Sequence, residues 1–230
     1  MPTVPEIVSN TEGLKTLYRK DIDETYHSVH GAVIESKHVF IESGLNFGLN
    51  QTQLTEIKIL EIGFGTGLNA MLTLLESEKQ NFNCIYHSLE TIPLSYDLVK
   101  MLDYNANWTI EQNSDFIKLH TCFWNKEEEI TPRFTIKKIE QGLELFEPKE
   151  SYNLIYFDAF GPDKQAELWT LELFQKLFNC LQENGILVTY SAKGDVRRNL
   201  QAVGFKVEKI AGPPHKRHML RAIKLQIPNE

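Results

Sequence analysis

The chain has 230 residues, 42% of them hydrophobic and 24% charged, with a formal net charge of −7. This suits one sizeable core, and no stretch approaches the roughly 20 apolar residues of a membrane-spanning helix. Met1 to Asn10 lacks the basic start and apolar centre of a secretory signal, so a cytoplasmic protein is expected. Cys84, Cys122 and Cys180 stand far apart without C-x-x-C spacing, which indicates neither a disulfide framework nor a metal site.

A short N-terminal extension over residues 1–50 precedes a main domain over residues 51–230. Strands are expected near Ile57–Ile62, Asn83–Thr91, Arg133–Ile139, Tyr152–Asp158, Gly185–Ser191, Phe205–Ile210 and His218–Lys224, and helices near Leu68–Lys79, Ser95–Asn105, Gln165–Leu181 and Asp195–Val203. Trp108 to Pro132 reads as an irregular insertion. Alternating strands and helices predict an α/β fold, a doubly wound, mostly parallel seven-stranded sheet with helices on both faces. The link through Gly212-Pro213-Pro214 is too short for a crossover helix, so the last strand should run antiparallel. In such a sheet ligands bind beyond the carboxyl ends of the strands.

Leu60-Glu61-Ile62-Gly63-Phe64-Gly65-Thr66-Gly67-Leu68-Asn69 joins a buried strand to a helix start through three alternate glycines. Glycines allow a tight turn and close approach of a ligand to the backbone. A dinucleotide fingerprint would need glycine at position 68, where the chain has Leu68. An acidic strand end followed by G-x-G-x-G suits instead a cofactor without phosphates, such as S-adenosylmethionine, whose cationic amino-acid end can meet Glu61. Glu90 ends the second strand, where an acid accepts hydrogen bonds from ribose hydroxyls, the alternative being a solvated carboxylate at a loop start. Glu140 or Asp115 could supply a further acid near the adenine. Within Tyr156-Phe157-Asp158-Ala159-Phe160-Gly161-Pro162, Asp158 emerges on the same rim as the glycine loop, where it can hold an amine and take its proton beside an apolar wall from Phe160. An ordinary helix-capping role for Asp158 fits the local sequence equally well.

From Tyr190 to Lys224 nine basic residues face two acidic ones, a formal +7, which leaves −14 for the rest of the chain. Two clusters, around Lys193, Arg197 and Arg198 and around Lys216 and Arg217, fit a phosphate-binding surface, the alternative being a solvated mixed-charge face.

The motifs ETYHSVHGAVIESKHVFIESGL (Glu24–Leu45), EIGFGTGLN (Glu61–Asn69), LETIP (Leu89–Pro93), FDAFGPDKQAELWT (Phe157–Thr170), TYSAKGDVRRNLQAVGF (Thr189–Phe205) and KRHML (Lys216–Leu220) occur in one order. In this ordered set the chain resembles the methyltransferase module of the bacterial bifunctional tRNA 5-methylaminomethyl-2-thiouridine biosynthesis enzymes and their stand-alone relatives. The resemblance implies the class I methyltransferase (Rossmann-like) sheet and methyl transfer from S-adenosylmethionine to the exocyclic amine of 5-aminomethyl-2-thiouridine at the tRNA wobble position. It puts Glu61, Gly63, Phe64, Gly65, Gly67, Asn69 and Glu90 at the cofactor, Asp158 and Phe160 at the target amine, and the basic clusters along tRNA. It also puts the N-terminal motifs at the active-site rim, where Tyr26, His27 and Phe40 either meet substrate or pack on the sheet.

Where the family commonly carries alanine the chain has Gly161, and Gln165-Ala166 replaces an asparagine–proline pair, so the loop after Asp158 should be shaped differently. The chain is too short to hold the flavin-dependent oxidase half as well, and no flavin is expected. Two other readings stay open. One is a small-molecule amine methyltransferase or aminopropyl transferase, and the other is a catalytically silent tRNA-binding module.

Overall fold

Strand burial alternates with helix amphipathicity along most of the chain, and the topology follows from that alternation. The computed structural model describes residues 4–9, 15–27, 31–52, 54–104 and 108–226. Residues 1–3, 10–14 and 28–30 of the expected N-terminal extension, and Asn105 at the end of the expected second helix, lie outside the described residues.

The first part of the chain forms a small antiparallel sheet of β1 (Glu6–Ser9), β2 (Lys15–Arg19) and β3 (Glu24–Thr25). A helical segment follows, with α1 (Ala32–Ser36), a π-helical stretch (Lys37–Asn46) and α2 (Phe47–Gln51). A Cβ on Gly44 would lie 2.9 Å from Cγ2 of Val188, so the missing side chain lets the π-helical stretch lie directly on the sheet.

The main domain runs β4 (Glu56–Ile62), α3 (Leu68–Gln80), β5 (Asn83–Glu90), α4 (Tyr96–Val99), α5 (Ile110–Thr121), β6 (Glu127–Thr131), β7 (Phe134–Glu140), β8 (Tyr152–Phe157), α6 (Leu171–Cys180), β9 (Leu181–Thr189), α7 (Gly194–Ala202), β10 (Lys206–Ala211) and β11 (His218–Ile223). The sheet has eight strands in the order β10-β11-β9-β8-β4-β5-β7-β6. β7, β5, β4, β8 and β9 are mutually parallel, whereas β11 is antiparallel to both its neighbours. This is the class I methyltransferase order with one strand, β6, added antiparallel at the β7 edge.

The alternation along each central strand divides the core into two layers. Ile57, Ile59, Tyr86, Leu154 and Tyr156 face the π-helical stretch, α3 and α5. Leu60, Ile62, Ile155, Phe157 and Leu187 face α6 and α7, where Phe174, Leu177 and Leu200 complete the second layer. Each large apolar side chain so buried contributes about 1.5–3 kcal/mol, which makes register on both faces strongly specified.

Three expectations change. Trp108 to Pro132 is not irregular, because it holds α5 and β6; Thr109 and Gln112 form a reciprocal capping box that starts the helix. The helix expected over Ser95–Asn105 is one α turn followed by a 3-10 turn (Lys100–Leu102), stopped where Asp103 turns left-handed at φ 56°. The helix expected from Gln165 divides into a 3-10 turn (Ala166–Leu168) and α6, which Thr170 starts anew by accepting from the Leu173 N–H.

Candidate active site

A cavity of about 660 Å³ opens at the carboxyl ends of β4, β5 and β8, where the rule for doubly wound sheets expects it. One end is the glycine loop. Gly63 sits at φ 94°, and a Cβ there would lie 3.0 Å from the Asp158 carbonyl oxygen. The first glycine therefore lets β4 and β8 come together at the site. Gly67 stands at φ 70° as the N-cap of α3, and a Cβ there would be 2.9 Å from His120 Nε2.

The carboxylates are arranged in depth. Glu61 is fully buried and accepts from Ser88 Oγ at 2.6 Å and Asn69 Nδ2 at 3.1 Å. Asn69 Nδ2 also donates to Asp158 Oδ2 at 2.8 Å, so a single amide joins the two acids. Burial pushes both carboxyls up to about 8. Asn69 Oδ1 is buried without a hydrogen-bond partner in a residue that lines the cavity. Glu90 accepts from the Gly65 N–H at 2.9 Å and from the Thr91 and Ile92 N–H groups at 2.8 Å each. Its burial raises the carboxyl above the usual range, against those backbone donors.

Thr66 ties the loop to both flanks. Its hydroxyl meets His27 Nε2 at 2.8 Å, and its carbonyl oxygen accepts from His120 Nε2 at 3.1 Å. Burial lowers both histidines to about 4, so both rings are neutral at physiological pH. Beneath Phe64, the buried Lys138 ammonium donates to the His120 carbonyl oxygen at 2.9 Å and lies 4.9 Å from the Trp124 ring.

The other end is aromatic. Tyr26 meets Phe160 edge to face at 5.1 Å, and Arg19, held by Asp21, lies 5.5 Å from the Phe160 ring. Tyr190 donates its hydroxyl to the Ala159 carbonyl oxygen at 2.8 Å, and Trp169 donates to the Phe160 carbonyl oxygen at 2.8 Å. Lys216 forms an ion pair with Glu35 and stands 4.3 Å from the Tyr190 ring centroid. Two cations therefore line this end, each already engaged by a carboxylate.

Tyr26, His27, Gly63, Phe64, Gly65, Asn69, Glu90, Asp158, Phe160 and Lys216 all line the cavity, as does Phe40. Others expected there do not. Glu61 lies behind Asn69, since Ser88 and Asn69 occupy its oxygens. Gly67 packs beneath Phe64 and His120. Glu140 ends β7 exposed, and the following Gln141, Gly142, Leu143 and Glu144 form that wall instead; Asp115 pairs with Lys118 on the α5 surface. Lys193 caps α7 and pairs with Asp163, Arg198 pairs with Asp195, and Arg197 and Arg217 are exposed, so this group lies on the surface outside the cavity wall. Sequence reasoning missed Glu35, Thr66, Tyr190 and His120. Tyr190 had a signal, as an aromatic at the end of an expected strand. Among the described residues no group of three or more His, Cys, Asp or Glu side chains is arranged to hold a metal, and no helix is long and apolar enough to cross a membrane.

A floor of glycine backbone, an acid at the end of β5 and an unpartnered buried amide oxygen suit a ligand that carries hydroxyls and an ammonium group. Fold and site together define a methyltransferase of class I architecture that takes an adenosyl sulfonium. The family model for S-adenosyl-L-methionine-dependent methyltransferases matches residues 105–225, and the chain belongs to that family, with S-adenosylmethionine as its cofactor. The chain is 30% identical over 253 residues to the tRNA 5-methylaminomethyl-2-thiouridine biosynthesis bifunctional protein MnmC of Legionella pneumophila, covering 96% of this chain and 37% of that protein. It is 28% identical over 219 residues to the protein of the same name from Burkholderia multivorans, covering 89% and 33%. The chain thus spans about a third of the length of these curated relatives. The crystal structure of MNMC2 from Aquifex aeolicus superposes with a TM-score of 0.75 at 25% identity, covering 99% of this chain and 73% of that one.

Proposed function

We propose that the protein methylates the exocyclic amine of 5-aminomethyl-2-thiouridine at the tRNA wobble position, in the cytoplasm. The observation that carries this reading is a cavity in which Asp158 stands between the glycine loop and an aromatic end lined by Tyr26, Phe160 and Tyr190. The kinship with the bifunctional proteins supports a tRNA acceptor over a free amine.

In this reading Glu90 holds the ribose hydroxyls, Asn69 Oδ1 and the glycine-loop backbone hold the amino-acid end, and Glu61 fixes the Asn69 amide. S-adenosylmethionine supplies a methyl group on a sulfonium, an electrophile that needs no further activation. Asp158 spends Oδ2 on Asn69 and has Oδ1 for an N–H of the acceptor. With its carboxyl raised to about 8 by burial, the ionised form that takes the amine's proton grows as pH rises toward 8. Phe160 and Tyr26 shield the reacting nitrogen from water and limit its approach, so that its lone pair is aligned. Arg197, Arg198, Lys193 and Arg217 offer charge outside the cavity to tRNA phosphates.

The test is to incubate the protein with methyl-labelled S-adenosylmethionine and tRNA carrying 5-aminomethyl-2-thiouridine, digest to nucleosides, and run putrescine and spermidine as parallel acceptors. Label in the wobble nucleoside is expected. Label only in the polyamines would replace tRNA by a small amine, and cofactor binding without transfer to any acceptor would mark a silent module.

A further inference from the structure

The pair Lys216–Glu35 lies inside the cavity wall rather than on the outer surface where a phosphate contact belongs. Glu35 comes from α1, Tyr190 follows β9, and Lys216 sits in the turn between β10 and β11. These three distant segments build one chemical environment. The Lys216 ammonium is ion-paired with the Glu35 carboxylate and stands 4.3 Å from the centroid of the Tyr190 ring. A carboxylate beside an aromatic face is the arrangement that receives an alkylammonium. The Tyr190 hydroxyl is anchored on the Ala159 carbonyl oxygen, one residue beyond Asp158, so that this environment adjoins the acid at the end of β8.

We propose that Glu35 and the face of Tyr190 form the recognition site for the protonated amine of the acceptor, and that Lys216 occupies it as an exchangeable internal ammonium until the acceptor enters. The inference rests on the amine-methylation reading and names how that site selects its substrate. Exchange of one ammonium for another conserves charge, and the desolvation of Glu35 is already met by Lys216. The Lys216 side chain is 37% exposed, against 14% for Glu35, so the lysine can swing outward on its four-carbon stem while the carboxylate stays. An uncharged substituent on the uridine cannot make the exchange, and an anionic one meets Glu35 in repulsion. Discrimination among wobble substituents then resides in Glu35, and the proton loss that precedes attack belongs to Asp158.

The experiment compares two anticodon stem-loop RNAs, one with 5-aminomethyl-2-thiouridine at the wobble position and one with 2-thiouridine. Binding is measured by fluorescence anisotropy with S-adenosylhomocysteine present, and steady-state methyl transfer is measured alongside. The wild type should favour the amine-bearing RNA about tenfold, the scale of a hydrogen bond to a charged group. Glu35→Gln should abolish that preference and raise KM about tenfold, with kcat changed much less and cofactor affinity intact, which also reports a folded protein. Lys216→Met should keep the preference and tighten binding of the amine-bearing RNA, since the internal competitor is gone. The proposal is overturned if Glu35→Gln still discriminates between the RNAs. It is equally overturned if Lys216→Met weakens both RNAs alike with a shallower salt dependence, the behaviour of a phosphate contact. A wild type that binds cofactor yet methylates no amine-bearing RNA overturns the tRNA reading together with the inference, whereas an active wild type with an indifferent Glu35→Gln variant overturns the inference alone.

Discussion

At the glycine-loop end of the cavity the groups come from β4, β5 and the start of α3, a stretch of chain in which strand, loop and helix follow one another directly. At the aromatic end Tyr26, Glu35, Asp158, Tyr190 and Lys216 arrive from five separated segments, two of them ahead of the main sheet. The first end is rigid by construction: Thr66 is gripped on two sides by His27 and His120, Glu90 accepts from the Gly65 N–H, and Asn69 donates to Asp158. The second is held by ring contacts and by an ion pair that can exchange.

The sharpest way to separate the two ends is Asp158→Asn. Methyl transfer should fall by about 10²–10⁴-fold, the range for loss of a general base, while cofactor affinity measured by calorimetry stays within a few fold. Equal loss of both would join the ends into one unit. Gly67→Ala should act in the opposite sense. Its φ of 70° and the 2.9 Å approach to His120 make any side chain strained, at a cost of about 1–3 kcal/mol, read as a lowered Tm and weakened cofactor binding. An unchanged Tm would deny the clasp around the loop. Glu90→Gln should weaken cofactor affinity about tenfold and leave acceptor KM alone; the reverse pattern would move Glu90 out of the cofactor site.

Proton linkage distinguishes the buried acids from the histidines. Relative to the unfolded chain, the native protein binds extra protons at Glu61 and Asp158, held at about 8, and fewer at His27 and His120, held at about 4. The two contributions oppose each other from about pH 4 to 6.5, the ordinary range of the unfolded groups. From about pH 6.5 to 8 the histidines are neutral in both states, so stability conferred by the acids is lost as pH rises. Calorimetric Tm of the cofactor-free protein should fall across that interval, and Asp158→Asn should make the fall shallower. A slope identical in the variant would mean that Asp158 is ionised throughout. The smallest effect is expected on the outer surface, where replacing Arg197 and Arg198 together by Ala should raise tRNA KM a few fold and flatten its salt dependence. Unchanged salt dependence would return both to the solvated face.

The element pattern was legible because the central strands carry their buried apolar residues in short β-branched and aromatic runs, as in Leu154–Phe157, and α3 opens directly after the glycine loop. α5 was concealed by polarity: Phe116 and Leu119 are its buried apolar residues, and the capping box at Thr109 and Gln112 was the signal that identified its start. Its absence from the sequence reading removed His120, hence the second grip on Thr66. Glu140 was misplaced for a related reason. Strand position named the correct end of β7, but the side chain at that position points to solvent and the chain reaches the cavity only one residue later.

Determined by the sequence alone were the doubly wound sheet with its antiparallel last strand and the phosphate-free cofactor, because these depend on spacing within a few residues of a strand end or turn, whereas for Asp158 the local sequence left a helix-capping role equally open. Only the tertiary structure decided that Glu61 is bonded to Asn69 behind the cavity wall, that Glu35 shares a cavity with Asp158, and that Lys216 turns inward to an aromatic face. Those facts depend on which segments the packing of α1 and the β10–β11 turn brings together, and contacts between residues 181 positions apart, as in Lys216 and Glu35, leave no local trace in the chain.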